Sequence, residues 1–195
     1  FAGGTDYMAP AADKDAFYAT VHGGMKFQTL TEQSLSSGSA AVTINEWPGS
    51  FSQVAAGGDI GYHVGDTYAL ELGVFLFEGS EYSYTQSSIK YSTYTDEMLF
   101  YGALKYDLAQ SDGWKLFAKV GLGGTYTVVS GTGVSENTEM VFSGVAGLGV
   151  TYAYTENNTV GLQYLFFDSL VEDDASTHPS LKPGHILTLS VGYSF

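Results

Sequence analysis

Four of the seven lysines sit at positions that alternate with apolar residues. Several acidic residues occupy the same alternate positions in their segments, which we call the same phase. The lysines are Lys26, Lys105, Lys115 and Lys119, and the acidic residues are Asp59, Glu71, Glu97 and Asp107. A buried charge is too costly to keep without a partner, so we expect these side chains to pair with one another. The sequence predicts in particular one network of Asp59, Glu71, Lys105 and Lys119.

The four histidines raise the question of catalysis. His178 lies near Ser180 and Asp174, which together could form a Ser–His–acid set, but no motif of such an enzyme surrounds them. The others do not suggest a site: His22 and His63 share the phase of the lysines, and His185 lies in the opposite phase. We therefore expect no enzymatic activity and no cofactor.

Composition excludes several further functions. Asp and Glu number 21 against seven Lys and no Arg, for a net charge of −14, whereas nucleic-acid binding needs clustered cations. The absence of Cys excludes disulfides and thiolate metal sites. The acidic run 172–174 lacks the ligand spacing of a Ca²⁺ loop, so a solvated acidic surface is favoured over a metal site.

The elements that must position these residues have a period of two. In Leu187, Leu189, Val191, Tyr193 and Phe195 every second residue is large and apolar, with small or polar residues between them. Such alternation indicates a β-strand with one apolar face. Eight segments show it, near 16–28, 51–63, 67–78, 96–108, 114–128, 139–154, 159–168 and 185–195. Residues 1–15 have no periodicity and are expected to form a flexible N-terminal tail, which leaves 16–195 as the domain formed by the strands.

The connections between the segments alternate in length. Short turns are predicted at 63–66, 109–113 and 155–158, where Gly-Asp, Ser-Asp-Gly and Asn-Asn steps favour hairpins. Long links rich in Ser, Thr, Gly and acidic residues are predicted at 29–50, 79–95, 129–138 and 169–184. This rhythm is typical of an outer-membrane barrel with short periplasmic turns and long outside loops, both termini being periplasmic.

Aromatic residues fall into two belts when the strands are traced up and down in turn. Near the short turns lie Tyr62, Tyr68, Tyr106, Trp114, Tyr152, Tyr154 and Tyr193. At the other end lie Phe27, Phe100, Tyr126, Phe142 and Phe166. Such belts match the two membrane–water interfaces, whereas a soluble barrel has no reason to sort aromatics by height. The sequence therefore predicts an all-β transmembrane barrel of eight antiparallel up-and-down strands.

Three segments carry a family resemblance. Residues 115–126 resemble the fifth strand of the OmpA-like and opacity-type outer-membrane barrels, 144–164 their sixth and seventh strands, and 191–195 their closing strand. The resemblance implies an integral protein of the bacterial outer membrane, in contact with lipid and lipopolysaccharide. It also implies an assembly signal for the barrel-assembly machinery, formed by Leu189, Val191, Tyr193 and Phe195. This family does not share one activity, so the resemblance indicates fold more than function.

We expect a non-enzymatic envelope scaffold whose outside loops mediate adhesion or bind a partner. Aromatic residues in the long links would offer stiff contact area for protein or glycan, namely Trp47, Tyr82, Tyr84, Tyr91 and Tyr94. The alternative is a narrow channel for ions or small apolar solutes, gated by the interior charges. Because eight strands leave an interior just wide enough for side chains, a salt-bridged plug is favoured over a gate.

Overall fold

Eight antiparallel strands pair with their neighbours in chain order and close into one barrel. The computed structural model describes residues 17–29, 50–86, 89–131, 134–170 and 184–195. The strands are β1 Phe17–Thr29, β2 Ser50–Val64, β3 Tyr68–Gln86, β4 Ile89–Ser111, β5 Trp114–Gly131, β6 Val134–Ala153, β7 Asn158–Ser169 and β8 Gly184–Ser194. Pairing of β1 with β8 closes the barrel. The predicted fold class is confirmed; residues 1–16, where the N-terminal tail was expected, lie outside the described residues.

The alternation of the sequence becomes the two faces of the barrel wall. On β3, Glu71 is 3% exposed while its neighbour Leu72 is 63% exposed. The outward row of large apolar side chains continues on the other strands through Ile60, Val120, Leu148, Leu162 and Leu189. Since apolar side chains so exposed would be unfavourable in water, they mark the face that contacts lipid. The described residues include no helix of the length and hydrophobicity needed to cross a membrane.

Both aromatic belts lie on the outward face. Near the short turns, Tyr68 packs on Tyr106 with ring centroids 5.0 Å apart, and Trp114 packs on Tyr152 at 4.8 Å. At the other end Phe27, Phe100 and Phe142 are exposed. The belts place the membrane around the middle of the barrel.

The strands are staggered, which tilts them relative to the barrel axis. The stagger is seen by following the paired residues once around the barrel, from Tyr18 through Gly61, Glu71 and successive partners. The path returns to β1 at Gln28, ten residues further along. Stagger and strand number together set the diameter, and eight strands leave a narrow interior. Cross-barrel contacts therefore join residues that are far apart in sequence.

Two of the predicted long links are wrong. Instead of loops at 79–95 and 129–138, the strand pairs β3–β4 and β5–β6 continue upward to the partners Gln86–Ile89 and Gly131–Val134. Ser, Thr and Glu there resemble loop composition, but a ladder in water needs only backbone pairing and tolerates polar side chains on both faces. The register shift between Phe77 and Ser80 marks where the β3–β4 hairpin departs from the regular wall. The links at 29–50 and 169–184 lie almost wholly outside the described residues.

The short turn between β4 and β5 is tighter than expected. β4 continues to Ser111, so the predicted turn at 109–113 shrinks to Asp112 and Gly113. Their φ angles of 49° and 82° are the left-handed values that a two-residue hairpin requires, and Gly adopts them without steric cost.

The outward face generates a first prediction. Replacing Leu72 with Lys places an ammonium in the hydrocarbon region and should lower the free energy of unfolding by about 2–4 kcal/mol. The same change at Leu108, which lies on the outward face near the aromatic belt at the short turns, should cost far less because the new ammonium reaches the interface. Urea unfolding in phospholipid vesicles measures both. Equal losses in the two variants would contradict the membrane position.

Candidate functional site

Asp59 stands at the centre of a charged cluster inside the barrel. Its Oδ2 lies 2.8 Å from His22 Nε2 and 3.1 Å from Lys119 Nζ. The hydroxyl of Tyr101 donates to Oδ1 at 2.6 Å. The carboxylate of Asp59, which is 3% exposed, therefore has partners from three other strands in place of water.

Glu71 forms the second half of the same cluster. Lys119 Nζ lies 2.5 Å from its Oε2, and Lys105 Nζ lies 3.4 Å from its Oε1. The hydroxyl of Tyr18 also donates to Oε1. Lys119 thus bridges Glu71 and Asp59, and the two lysines balance the two carboxylates. The structure brings together the four residues of the predicted network, and we call them with His22, Tyr18 and Tyr101 the central network.

The strand sequences create the space for this network. An ideal Cβ at Gly73, on β3, would lie 2.3 Å from Asp59 Oδ1 and 2.4 Å from Tyr101 Cζ. At Gly61, on β2, it would lie 2.1 Å from Tyr18 Cζ. Glycine at these inward positions therefore makes room for carboxylates and rings of adjacent strands. In the sequence pattern, both glycines belong to the small residues that alternate with the large apolar ones.

The remaining interior charges form separate pairs at either side of the central network. Lys26 pairs with Glu97 toward the end of the barrel that carries the long hairpins, and its ammonium lies 4.6 Å from the Phe77 ring centroid. Toward the end with the short turns, Lys115 Nζ lies 3.3 Å from Asp107 Oδ2, where the lysine side chain is 31% exposed. The interior charges predicted from the sequence are thus divided into three groups rather than one.

An apolar layer separates the central network from the Lys26–Glu97 pair. Along β4 the inward positions read Glu97, Leu99 and Tyr101, so that Leu99 lies between the two charged regions. The layer contains four side chains of 0% exposure, Phe75, Leu99, Leu165 and Ile186. Phe75 stacks on Tyr101 with centroids 6.4 Å apart. Because these four side chains are fully buried, the interior is tightly packed at this level.

Sequence reasoning missed three members of the central network. The sequence pattern places His22 on the inner face without indicating its partner, and it does not distinguish Tyr18 and Tyr101 from other inward residues. The signal was present, because Tyr18 and His22 share the phase of Lys26, and Tyr101 shares the phase of Lys105. What was lacking was the cross-barrel register that brings β1, β2 and β4 to one level.

The expected loop aromatics have different positions. Trp47 lies outside the described residues. Tyr82 and Tyr84 belong to β3 and Tyr91 to β4, with Tyr84 paired to Tyr91 in register. Tyr94, also on β4, is 45% exposed. They are strand residues of an extended hairpin, contrary to the expectation of a loop at 79–95.

The proposed assembly row occupies the outward face of the last strand. Leu189 and Val191 are 69% and 56% exposed, and Tyr193 and Phe195 are 46% and 74% exposed. Tyr193 and Phe195 contact each other edge to face at 5.2 Å. Recognition of this row during assembly stays a prediction.

His22 lies next to a hydroxyl and a carboxylate but forms no open reactive site. Thr188 Oγ1 lies 3.4 Å from His22 Nδ1, and His22 Nε2 contacts the Asp59 carboxylate. A hydroxyl, an imidazole and a carboxylate thus form a row of contacts. Thr188 is however 1% exposed beneath the apolar layer, where a substrate has no access. The triad considered from the sequence, with His178, lies outside the described residues. Among those described, no three His, Asp or Glu side chains are grouped to hold a metal ion.

An apolar outer face between two aromatic belts, around an interior of paired charges, defines a transmembrane β-barrel. The family model described as outer membrane protein beta-barrel domain matches residues 2–195. The chain belongs to this family, and it is an integral protein of the bacterial outer membrane. The resemblance to OmpA-like and opacity-type barrels is confirmed.

Solved structures show the same fold at low sequence identity. Neisserial surface protein A is 15% identical, with a TM-score of 0.59, over 92% of this chain and 97% of its own. OprG from Pseudomonas aeruginosa is 12% identical, with a TM-score of 0.60, over 93% and 97%. Ail of Yersinia pestis, in complex with the heparin analogue sucrose octasulfate, is 10% identical, with a TM-score of 0.55, over 93% and 99%. No curated protein matches the chain significantly.

The central network generates a second prediction. Lys119→Met keeps most of the side-chain volume but leaves Asp59 without its lysine and Glu71 with Lys105 alone. The free energy of unfolding should fall by about 3–5 kcal/mol, because the carboxylates stay buried. Lys115→Met is the matched control, and its partly exposed pair should contribute about 0–1 kcal/mol. Urea unfolding monitored by tryptophan fluorescence compares the two, and similar losses would argue against a special role for Lys119.

Proposed function

We propose that this protein is a non-enzymatic envelope scaffold with a closed interior, and that its extracellular hairpins mediate adhesion or bind a partner. The observation that carries the first part is the apolar layer of Phe75, Leu99, Leu165 and Ile186. A channel needs a continuous wet path, whereas this layer leaves no room for water beside its side chains. The lysines on both sides of it are already paired with carboxylates within the barrel.

The extended hairpins support the second part of the proposal. β3 and β4 remain paired from Ser80–Thr95 up to Gln86–Ile89, well beyond the upper aromatic belt. Beyond Phe77, β3 has no ladder to β2 among the described residues. A paired hairpin holds its residues in one geometry, and tyrosines on such a support bind with little loss of conformational entropy. The Tyr-rich hairpin is therefore the proposed contact surface.

Charge narrows the class of partner. Four lysines and four acidic residues pair inside the barrel, so the net charge of −14 belongs to the rest of the chain. A surface with this excess of carboxylates repels polyanions. The Ail structure holds a sulfated heparin analogue, but we propose that this chain prefers an uncharged or cationic partner, protein or glycan. Sucrose octasulfate, a polyanion, should therefore not bind this protein and is a suitable negative control in binding assays.

Conductance across planar bilayers tests the closed interior. We expect no steady conductance from the wild-type protein, and none from Lys105→Met, because the apolar layer lies above that residue and stays intact. Protein-free detergent buffer is the blank. A large, steady conductance of the wild type would refute the scaffold proposal and favour the narrow channel for ions or small apolar solutes.

Shortening one hairpin tests the contact surface. Tyr82 and Thr93 are register partners, so residues 82–93 can be replaced by an Asn-Gly turn joining Glu81 to Tyr94 without disturbing the wall. We expect normal folding, seen as heat-modifiable gel mobility, but a loss of cell attachment to protein- or glycan-coated surfaces of at least tenfold. Shortening β5–β6 between Val129 and Asn137 is the control. Unchanged attachment after the first change would contradict the assignment.

Assembly provides a further test that is independent of the partner. We propose that the outward row ending in Phe195 is read by the barrel-assembly machinery, as the resemblance implies. Deleting Phe195, which is 74% exposed, should lower the amount of folded barrel in the outer membrane severalfold. The control is Ser194→Ala, on the opposite face of the same strand. An unchanged amount after the deletion would rule out this role.

A further inference from the structure

Three polar residues lie side by side at the extracellular mouth of the barrel. Glu97 on β4 pairs in register with Thr127 on β5, which pairs with Glu139 on β6. All three share the inward phase, because Met140 and Phe142 on β6 face outward and are 48% and 60% exposed. Glu97 is 8% and Thr127 5% exposed, while Glu139 is half-buried nearer the mouth.

Two oxygen atoms of this row lack a partner within the described structure. Glu97 Oε2 accepts from Lys26, but Glu97 Oε1 is buried without a hydrogen bond. Thr127 Oγ1 is buried without a hydrogen bond as well. Buried polar atoms in folded proteins are nearly always satisfied, so two orphan oxygens on adjacent strands point to a bound species between them.

The charge of the row identifies that species. Lys26 neutralises one of the two carboxylates of Glu97 and Glu139, which leaves one negative charge. We propose that Glu97 Oε1, Thr127 Oγ1 and the Glu139 carboxylate bind one monovalent cation. The offered ligands are oxygen atoms, which suit a hard cation or an ammonium group. A divalent ion would leave excess positive charge next to the Lys26 ammonium.

Thermal unfolding in zwitterionic detergent tests the site, because a ligand that binds only the folded state stabilises it. Samples contain NaCl, KCl, methylammonium chloride or choline chloride at one ionic strength. We expect a melting temperature several degrees higher with at least one small cation than with choline, which is too large for the site. Stabilisation by Na⁺ or K⁺ identifies an alkali ion, and stabilisation by methylammonium alone identifies an ammonium group.

Variants locate the bound cation. Thr127→Val removes the orphan hydroxyl without touching the Lys26–Glu97 pair and should weaken binding of the stabilising cation at least tenfold. Glu139→Gln should do the same, and Asp96→Asn, an equal charge change at an exposed position on β4, should not. For Na⁺, broadening of the ²³Na resonance gives a direct reading. If Thr127→Val fails to fold, Glu139→Gln against Asp96→Asn decides.

Three outcomes would overturn the proposal. Equal melting temperatures in all four salts would mean that water satisfies the orphan atoms. Undiminished cation dependence in both Thr127→Val and Glu139→Gln would place the ion elsewhere. A Thr127→Val variant that is more stable than wild type in every salt would show that the hydroxyl serves no ligand.

Discussion

The narrowness of an eight-stranded barrel is the constraint on which the rest of this structure depends. Its interior has no space for a hydration shell, so each charged side chain must find its partners on another strand. Asp59 does so with His22, Lys119 and Tyr101, all within 3.1 Å. The same lack of space explains the inward glycines, since a Cβ at Gly73 would overlap the carboxylate of Asp59.

Buried ion pairs are weak sources of net stability, because desolvation offsets much of their attraction. Their effect here is better described as fixing the register of the strands. The Lys26–Glu97 pair joins β1 to β4, and Lys119 joins β5 to both β2 and β3. A slip of one residue in any of these strands would turn its charged side chain toward lipid. The network therefore penalises wrong registers more strongly than it stabilises the correct one.

The outer surface obeys a different constraint at each height. Within the membrane the wall must be apolar and every backbone group paired, which closure of the β1–β8 ladder provides. Beyond the upper aromatic belt water satisfies polar groups, and the β3–β4 hairpin continues with Ser, Thr and Tyr. The proposed contact surface and the membrane-spanning wall thus lie at different heights along the barrel axis. Paired charges in the interior support the wall, and the acidic exterior is the surface that we propose for contacts outside the cell.

The sequence by itself determined the strand number, the strand phases and the two aromatic belts, since these follow from local alternation and from the interfaces of the bilayer. It also identified Glu71, Lys105, Lys119 and Asp59 as inward residues on neighbouring strands. It did not determine where β3 and β4 end, because a polar ladder in water and a loop have similar compositions. Only the tertiary structure decided that Lys119 bridges two carboxylates and that Lys26 pairs with Glu97 at the other end. Those contacts depend on the ten-residue stagger of the closed barrel, which accumulates over eight strand pairs and is visible in no single segment.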